Sequence, residues 1–144
     1  MLKITDSFAT LPAQDIQRAR KFYEQKLGLT PVMVTPDGGA IYKTGEDTAF
    51  SVFPSMGKAS GDHTQITLRV PDVTSTVGEL KKSGVKFEEY DSPGFKTVDG
   101  IAGIGDDQGA WFKDTEGNLL VLIQFTDAQA TAVKSGHGTT TNGR

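Results

Sequence analysis

Residues 110–125 read AWFKDTEGNLLVLIQF: an aromatic stretch, a polar turn and an almost unbroken apolar run. Asp114-Thr-Glu-Gly-Asn118 is turn-forming sequence set between runs rich in aromatic and β-branched residues, which is the pattern of a β-hairpin. The apolar run that follows is far shorter than the roughly 20 residues a membrane-spanning helix needs. It therefore reads as a strand, along which successive side chains point to opposite faces. Leu120 and Leu122 are expected to pack toward helices, while Leu119, Val121 and Ile123 face the other way.

Working outward, the same plan appears twice. FATLPAQDIQRARKFYEQKLGLTPV, residues 8–32, begins strand-like and reaches Asp15 as a helix N-cap. It then places Ile16, Ala19, Phe22, Tyr23 and Leu27 near helical spacing before Gly28 stops the helix. TQITLRVPDVTSTVGELKKSGVKFEEY, residues 64–90, repeats this with Asp72 as cap, Val73, Val77 and Leu80 as the apolar stripe and Gly84 as the stop. Each helix is followed by hairpin sequence, GGAIYKTGEDTAFSVFPS in one half and the opening stretch in the other. The caps Asp15 and Asp72 lie 57 residues apart, and the repeat predicts an α+β fold of two βαβββ modules facing one another. The expected division is a first module over 1–56, a linker over 57–63, a second module over 64–126 and a flexible C-terminal tail over 127–144. His137, in that tail, is expected to be a solvated side chain. The segment 90–109 holds five glycines and no clear period, and is expected to be a loop near the cleft mouth.

Composition narrows the function. The chain has 144 residues, enough for one core, and no cysteine, so disulfides, thiolate metal sites and cysteine nucleophiles are excluded. Fifteen Lys and Arg against 18 Asp and Glu, scattered along the chain, give no long-range attraction for phosphate backbones, so no nucleic-acid partner is expected. No membrane partner is expected either, and the N-terminal sequence lacks an apolar targeting stretch, which points to a cytoplasmic protein.

Strand alternation assigns the faces. Ile66, Leu68 and Val70 are uniformly apolar and belong against the helices, leaving Gln65 and Thr67 opposite; Ala9 and Leu11 pack, leaving Phe8 and Thr10; Phe50 and Val52 pack, leaving Ser51 and Phe53. If the sheets curve, Phe8, Thr10, Ser51, Phe53, Gln65, Thr67 and Val121 line one cavity whose mixed apolar and neutral polar wall suits an organic ligand. The alternative is an outward sheet surface wetted by Thr, Ser and Gln, and periodicity does not separate the two. Trp111 and Tyr42 are further aromatic candidates for the cavity, and Phe95, Lys96 and Asp99 could reach it from the glycine-rich segment.

FYEQKLGL at 22–29, LRVPDV at 68–73 and WFKDTEGNLLVLIQF at 111–125 closely resemble the vicinal oxygen chelate superfamily of glyoxalase I, bleomycin-resistance proteins and extradiol dioxygenases. The resemblance covers residues 5–126 and implies two paired βαβββ modules forming a cleft, often within a homodimer that completes two such sites. Metal-dependent members of the family place one ligand on each of four strands. The corresponding positions here are Phe8, the neighbourhood of Ser51, Gln65 and Val121. Phenylalanine and valine coordinate nothing, and no charged donor remains, so neither a metal nor another cofactor is expected. The acidic runs FEEYD (87–91) and GDDQ (105–108) read as solvated surface.

The function this implies is of the bleomycin-resistance type: a small organic ligand bound in a metal-free cleft, for sequestration, resistance or carriage. The ligand-binding residues expected are Phe8, Thr10, Ser51, Phe53, Gln65, Thr67, Phe95, Trp111 and Val121. An enzyme of the same superfamily, either metal-independent, with His63 or Tyr90 moving a proton, or metal-dependent through unorthodox ligands, is the alternative. Conventional metal-dependent glyoxalase or dioxygenase activity is not expected, and no catalytic residue can be named.

Overall fold

The computed structural model describes residues 1–125; residue 126, the expected tail 127–144 and His137 lie outside the described residues. The helices begin where the caps predict. Asp15 Oδ1 accepts from the Arg18 N–H at 3.0 Å ahead of α1 (Ile16–Lys21), and Asp72 Oδ1 accepts from the Ser75 N–H at 3.1 Å ahead of α2 (Val73–Lys82). Gly28 and Gly84 follow the helices with φ of +73° and +92°, a conformation side chains other than glycine resist.

α1 runs on into one wide π-helical turn, Phe22–Lys26, closed by the Leu27 N–H on the Phe22 carbonyl at 3.1 Å. Such turns accommodate an extra residue, and here the adjacent Phe22 and Tyr23 are both buried. Tyr23 stacks on Tyr42 with ring centroids 5.6 Å apart, and Phe22 meets Phe112 at 6.2 Å. Tyr42 is on the first sheet and Phe112 on the second, so one helix end joins the cores of both halves. Tyr42, expected near the cavity, is thus a core residue, fully buried and donating its hydroxyl to Glu24 at 3.0 Å.

The strands are β1 (Ala9–Ala13), β2 (Pro31–Val34), β3 (Ala40–Lys43), β4 (Ala49–Pro54), β5 (Thr64–Arg69), β6 (Asp91–Ser92), β7 (Phe95–Val98), β8 (Ile101–Ile104), β9 (Asp107–Lys113) and β10 (Leu119–Gln124). They form a four-stranded sheet in the order β1-β4-β3-β2 and a six-stranded sheet in the order β5-β10-β9-β8-β7-β6. In both, the strand before the helix pairs in parallel with the last strand of its half, and the remaining neighbours are antiparallel. The order β5-β10-β9-β8 repeats β1-β4-β3-β2, which is the duplication expected from the caps.

The second half departs from the first in one respect. Phe87 bridges Phe112, and the Glu88 N–H donates to the Trp111 carbonyl; β9 then resumes pairing at Ala110 with Ile101. Residues 89–100 therefore leave the flank of β9 and return to it at the next position, folding on the way into β6 and β7, which extend the sheet beyond β8. This corrects the expectation of a loop over 90–109. The glycines there mark turns between short strands: Gly94, Gly100 and Gly105 all have positive φ, as does Asp99 at +54°. The acidic runs are not all solvated surface either. Asp107 is buried, and Glu89 Oε1 accepts from Thr97 Oγ1 at 2.6 Å and the Gly100 N–H at 2.9 Å, tying the base of the excursion.

The turn of the opening stretch locks the two halves together. Asp114 Oδ1 accepts from the N–H groups of Glu116 and Asn118, while Asp114 Oδ2 accepts from the Tyr23 hydroxyl at 2.6 Å and from Asn118 Nδ2 at 2.7 Å. Asn118 Nδ2 also donates to the Pro12 carbonyl at 3.0 Å. Glu116, buried, accepts from the Asp15 N–H and from both Nε and Nη2 of Arg18 at 2.7 and 3.1 Å. Among the described residues no helix is long and apolar enough to cross a membrane.

Candidate functional site

A hollow of about 400 Å³ lies against the first sheet, lined by Phe8, Thr35, Pro36, Asp37, Ala40, Ile41, Ser51, Val52 and Phe53. Ser51 stands on a central strand, in register with Thr10 on β1 and Ile41 on β3, so the three side chains share this face. Phe8 and Phe53 remain 49% and 37% exposed, large apolar surfaces left in water beside a hollow. Ser51 is the opposite case: only 8% exposed, a small polar side chain on the floor of the hollow. Asp37 is positioned by the β2–β3 turn, where its Oδ1 accepts from Thr35 Oγ1 and from the Gly39 N–H at 3.1 Å. The Thr35 hydroxyl, and then the Gly39 N–H, hold its carboxyl below the usual carboxylate range.

A larger groove of about 840 Å³ runs between the first sheet and β5, with Phe8, Ala49, Lys43, Thr67 and Arg69 among its lining. Of the nine residues expected at the site, Phe8, Ser51 and Phe53 come together in the first cavity, and Thr67 joins Phe8 in the groove. Thr10 is exposed beside Ser51 and lines neither. Gln65, Phe95, Trp111 and Val121 line neither as well, so among the described residues these two hollows do not gather the nine residues expected from strand alternation.

Two physical reasons account for that separation. At Leu119 and Leu120 the register with β5 jumps from Thr64 to Ile66, leaving Gln65 as the extra residue of a bulge and outside the alternation used to place it. Its Oε1 is buried with no hydrogen-bond partner among the described residues. On the rest of the second sheet the excursion supplies its own cover. Tyr90 and Phe95 meet Trp111 edge-on at 5.9 and 5.3 Å, and the Trp111 Nε1–H donates to Thr64 Oγ1 at 3.2 Å. Val121, the register partner of Trp111, is only 5% exposed and offers a ligand little surface. Phe112, the neighbour of Trp111, points into the core, as alternation requires. Lys96 is exposed on β7, and Asp99 serves as a turn residue whose carbonyl accepts from Lys81 Nζ at 2.9 Å.

Burial, and then Glu88, raise the Tyr90 hydroxyl above its ordinary range, so at neutral pH it is protonated. His63 is exposed in the segment between the two sheets. The donor set at the four strand positions does not fit a divalent cation: Phe8 and Val121 have no donor atom, and Ser51 and Gln65 are neutral. Among the described residues no three His, Cys, Asp or Glu side chains gather where an ion could be held. Sequence reading missed Asp37, Thr35 and Ile41. The Pro-Asp-Gly-Gly turn was the available signal, since it returns the chain to place Ile41 opposite the buried Ala40 and Tyr42.

Two sheets built on a repeated strand, helix and three-stranded plan define a class of α+β proteins. The chain belongs to the Glyoxalase/Bleomycin resistance protein/Dioxygenase superfamily, whose sequence profile matches residues 6–122. Among curated proteins none matches it. Solved structures share the fold. An antibiotic binding protein, TnmS3 from Streptomyces, superposes with a TM-score of 0.62 at 21% identity, covering 88% of this chain and 99% of the other. A glyoxalase/bleomycin resistance protein from Catenulispora acidiphila gives 0.62 at 18% identity over 84% and 98% of the two chains. The fosfomycin resistance protein FosX from Listeria monocytogenes gives 0.63 at 13% identity over 88% and 98%.

Proposed function

We propose that this protein binds a small organic molecule with an aromatic or conjugated body in a metal-free cleft, in a sequestering or carrier role in the cytoplasm. The observation that carries the reading is the first-sheet cavity, where the exposed rings of Phe8 and Phe53 flank a floor holding the buried Ser51 hydroxyl. Apolar area gives such a site affinity, and one fixed polar group gives orientation. At about 400 Å³ it lies toward the small end of ligand cavities, which run from about 300 to 1,000 Å³. The antibiotic binding and fosfomycin resistance proteins that share the fold support a role of this kind.

A homodimer is part of the proposal. Gln65, Phe95, Trp111 and Val121 line neither the cavity nor the groove that hold Phe8 in one chain. A second copy laying its second sheet over the first sheet would add Trp111 and Phe95 as an opposing aromatic wall. The division into modules over 1–56 and 64–126, joined by 57–63, suits that exchange.

The test is a thermal-shift screen of flat aromatic compounds, followed by recovery of the bound compound. A ligand that binds the native state must raise its melting temperature. Phe8→Ala and Phe53→Ala should each weaken binding about tenfold or more, from about 1.5–3 kcal/mol of lost apolar contact. Recovery of the compound unchanged supports a binding protein; conversion to product would replace that reading with the enzyme alternative.

A further inference from the structure

The cavity has a chemical polarity that narrows its ligand, and this inference rests on the binding role just proposed. We infer that the first-sheet cavity takes a cationic amphiphile of one or two aromatic rings, with its apolar body between Phe8 and Phe53, a hydrogen-bonding group at Ser51 and a positively charged nitrogen toward Asp37.

Of the residues lining the cavity, Asp37 alone carries a formal charge. It also serves the turn, but both bonds it accepts there fall on Oδ1, and Oδ2 takes no part in them. A carboxylate at the rim of an apolar hollow favours a cation there over a neutral group, and a neutral group over an anion. The surroundings point the same way. On the other side of Phe8 a second depression carries Asp6, Glu46 and Asp47 against one cation, Lys43. Acidic groups outnumber basic ones there, although Lys43 and Arg69 line the groove on the far side of Phe8.

Ser51 sets the other end. Its residue is only 8% exposed and lines the cavity, so what surface it keeps is turned to the hollow. A hydroxyl on the wall of an open hollow is hydrated when the site is empty, and a ligand oxygen or N–H that takes the water's place there fixes the ligand's orientation. The hydroxyl can donate to a carbonyl or ether oxygen, and can donate to or accept from an alcohol.

The full chain should be titrated with four probes of matched shape: 2-naphthylmethylamine, 2-naphthalenemethanol, 2-naphthoate and 2-methylnaphthalene. The amine should bind about two- to fivefold tighter than the alcohol, the scale of one partly exposed ion pair. The naphthoate should bind most weakly. Asp37→Asn keeps the Oδ1 acceptor that closes the turn and removes the charge, so it should abolish the amine's advantage while leaving the alcohol's affinity in place. Ser51→Ala should weaken the alcohol more than 2-methylnaphthalene, which has nothing to bond. An amine advantage that is absent, or that persists in Asp37→Asn, overturns the charge assignment and leaves the binding role standing. Equal losses for alcohol and hydrocarbon in Ser51→Ala overturn the anchor. If no probe binds in a manner sensitive to Phe8→Ala, the cavity itself is not a binding site and both readings fall.

Discussion

Glu116 shows how much one side chain can carry. Burial alone would raise its carboxyl, but the Arg18 guanidinium, the Asp15 N–H and the Thr115 hydroxyl outweigh that and hold it at about 2, against an ordinary 4.5. A carboxyl depressed in the folded state stabilises the fold above its unfolded value and loses that contribution as pH falls through the folded one. Stability should therefore decline between about pH 5 and pH 2, by about 3 kcal/mol from this residue. Glu116→Gln, followed by chemical denaturation, should lose about 2–3 kcal/mol at pH 7 and flatten that acid limb. Unchanged acid sensitivity in the variant would show that other carboxylates govern it. In the sequence Glu116 reads only as part of a polar turn, because its partners Asp15 and Arg18 lie some hundred positions away and no local pattern announces them. Val121 illustrates the reverse: its face was legible from alternation, yet its small exposure depends on Trp111 beside it.

At the scale of elements, both helices could be read from their caps, their apolar stripes and their terminal glycines, because each of those signals acts within a few residues. β6, β7 and β8 could not, since each is short and their turns bring glycines close enough to look like one loop, whereas the end of β9 was legible as the first arm of the hairpin. Gly100 is the tightest point of this region. Its φ is +86°, and a Cβ there would stand 2.8 Å from the Phe87 Cβ, against a side chain fixed by its bridge to Phe112. Gly100→Ala should destabilise the protein by about 1–3 kcal/mol through backbone strain and overpacking. Faster amide exchange should appear at Gly100 and Thr97, whose N–H groups bond Glu89 and Tyr90. A uniform loss of protection across the molecule, with no excess there, would contradict a local effect. The bulge at Gln65 belongs here too. One extra residue moved it off the face that strict alternation assigns.

For the whole molecule, one core cluster spans both sheets, and Tyr23, Asp114 and Asn118 tie the first helix to the last hairpin. Unfolding should accordingly be a single cooperative transition, with fluorescence of Trp111 and far-ultraviolet circular dichroism giving coincident curves. Two separated transitions would mean that the halves fold alone. Tyr23→Phe and Asn118→Ala, which remove two donors from the same Asp114 oxygen, should be non-additive by about 0.5–2 kcal/mol in a double-mutant cycle. The duplication was visible from end to end in the sequence, but the asymmetry that makes each half different was not. Residues 89–100 express that asymmetry most plainly, leaving β9's flank after Glu88 and rejoining it at Ile101. Lengthening a segment whose ends are already pinned together costs only a logarithmic increment of chain entropy. Residues can thus be added or trimmed around the Pro93-Gly94 tip while β9 keeps its pairing with β8 and β10, which makes this turn the place where a change of length is least costly.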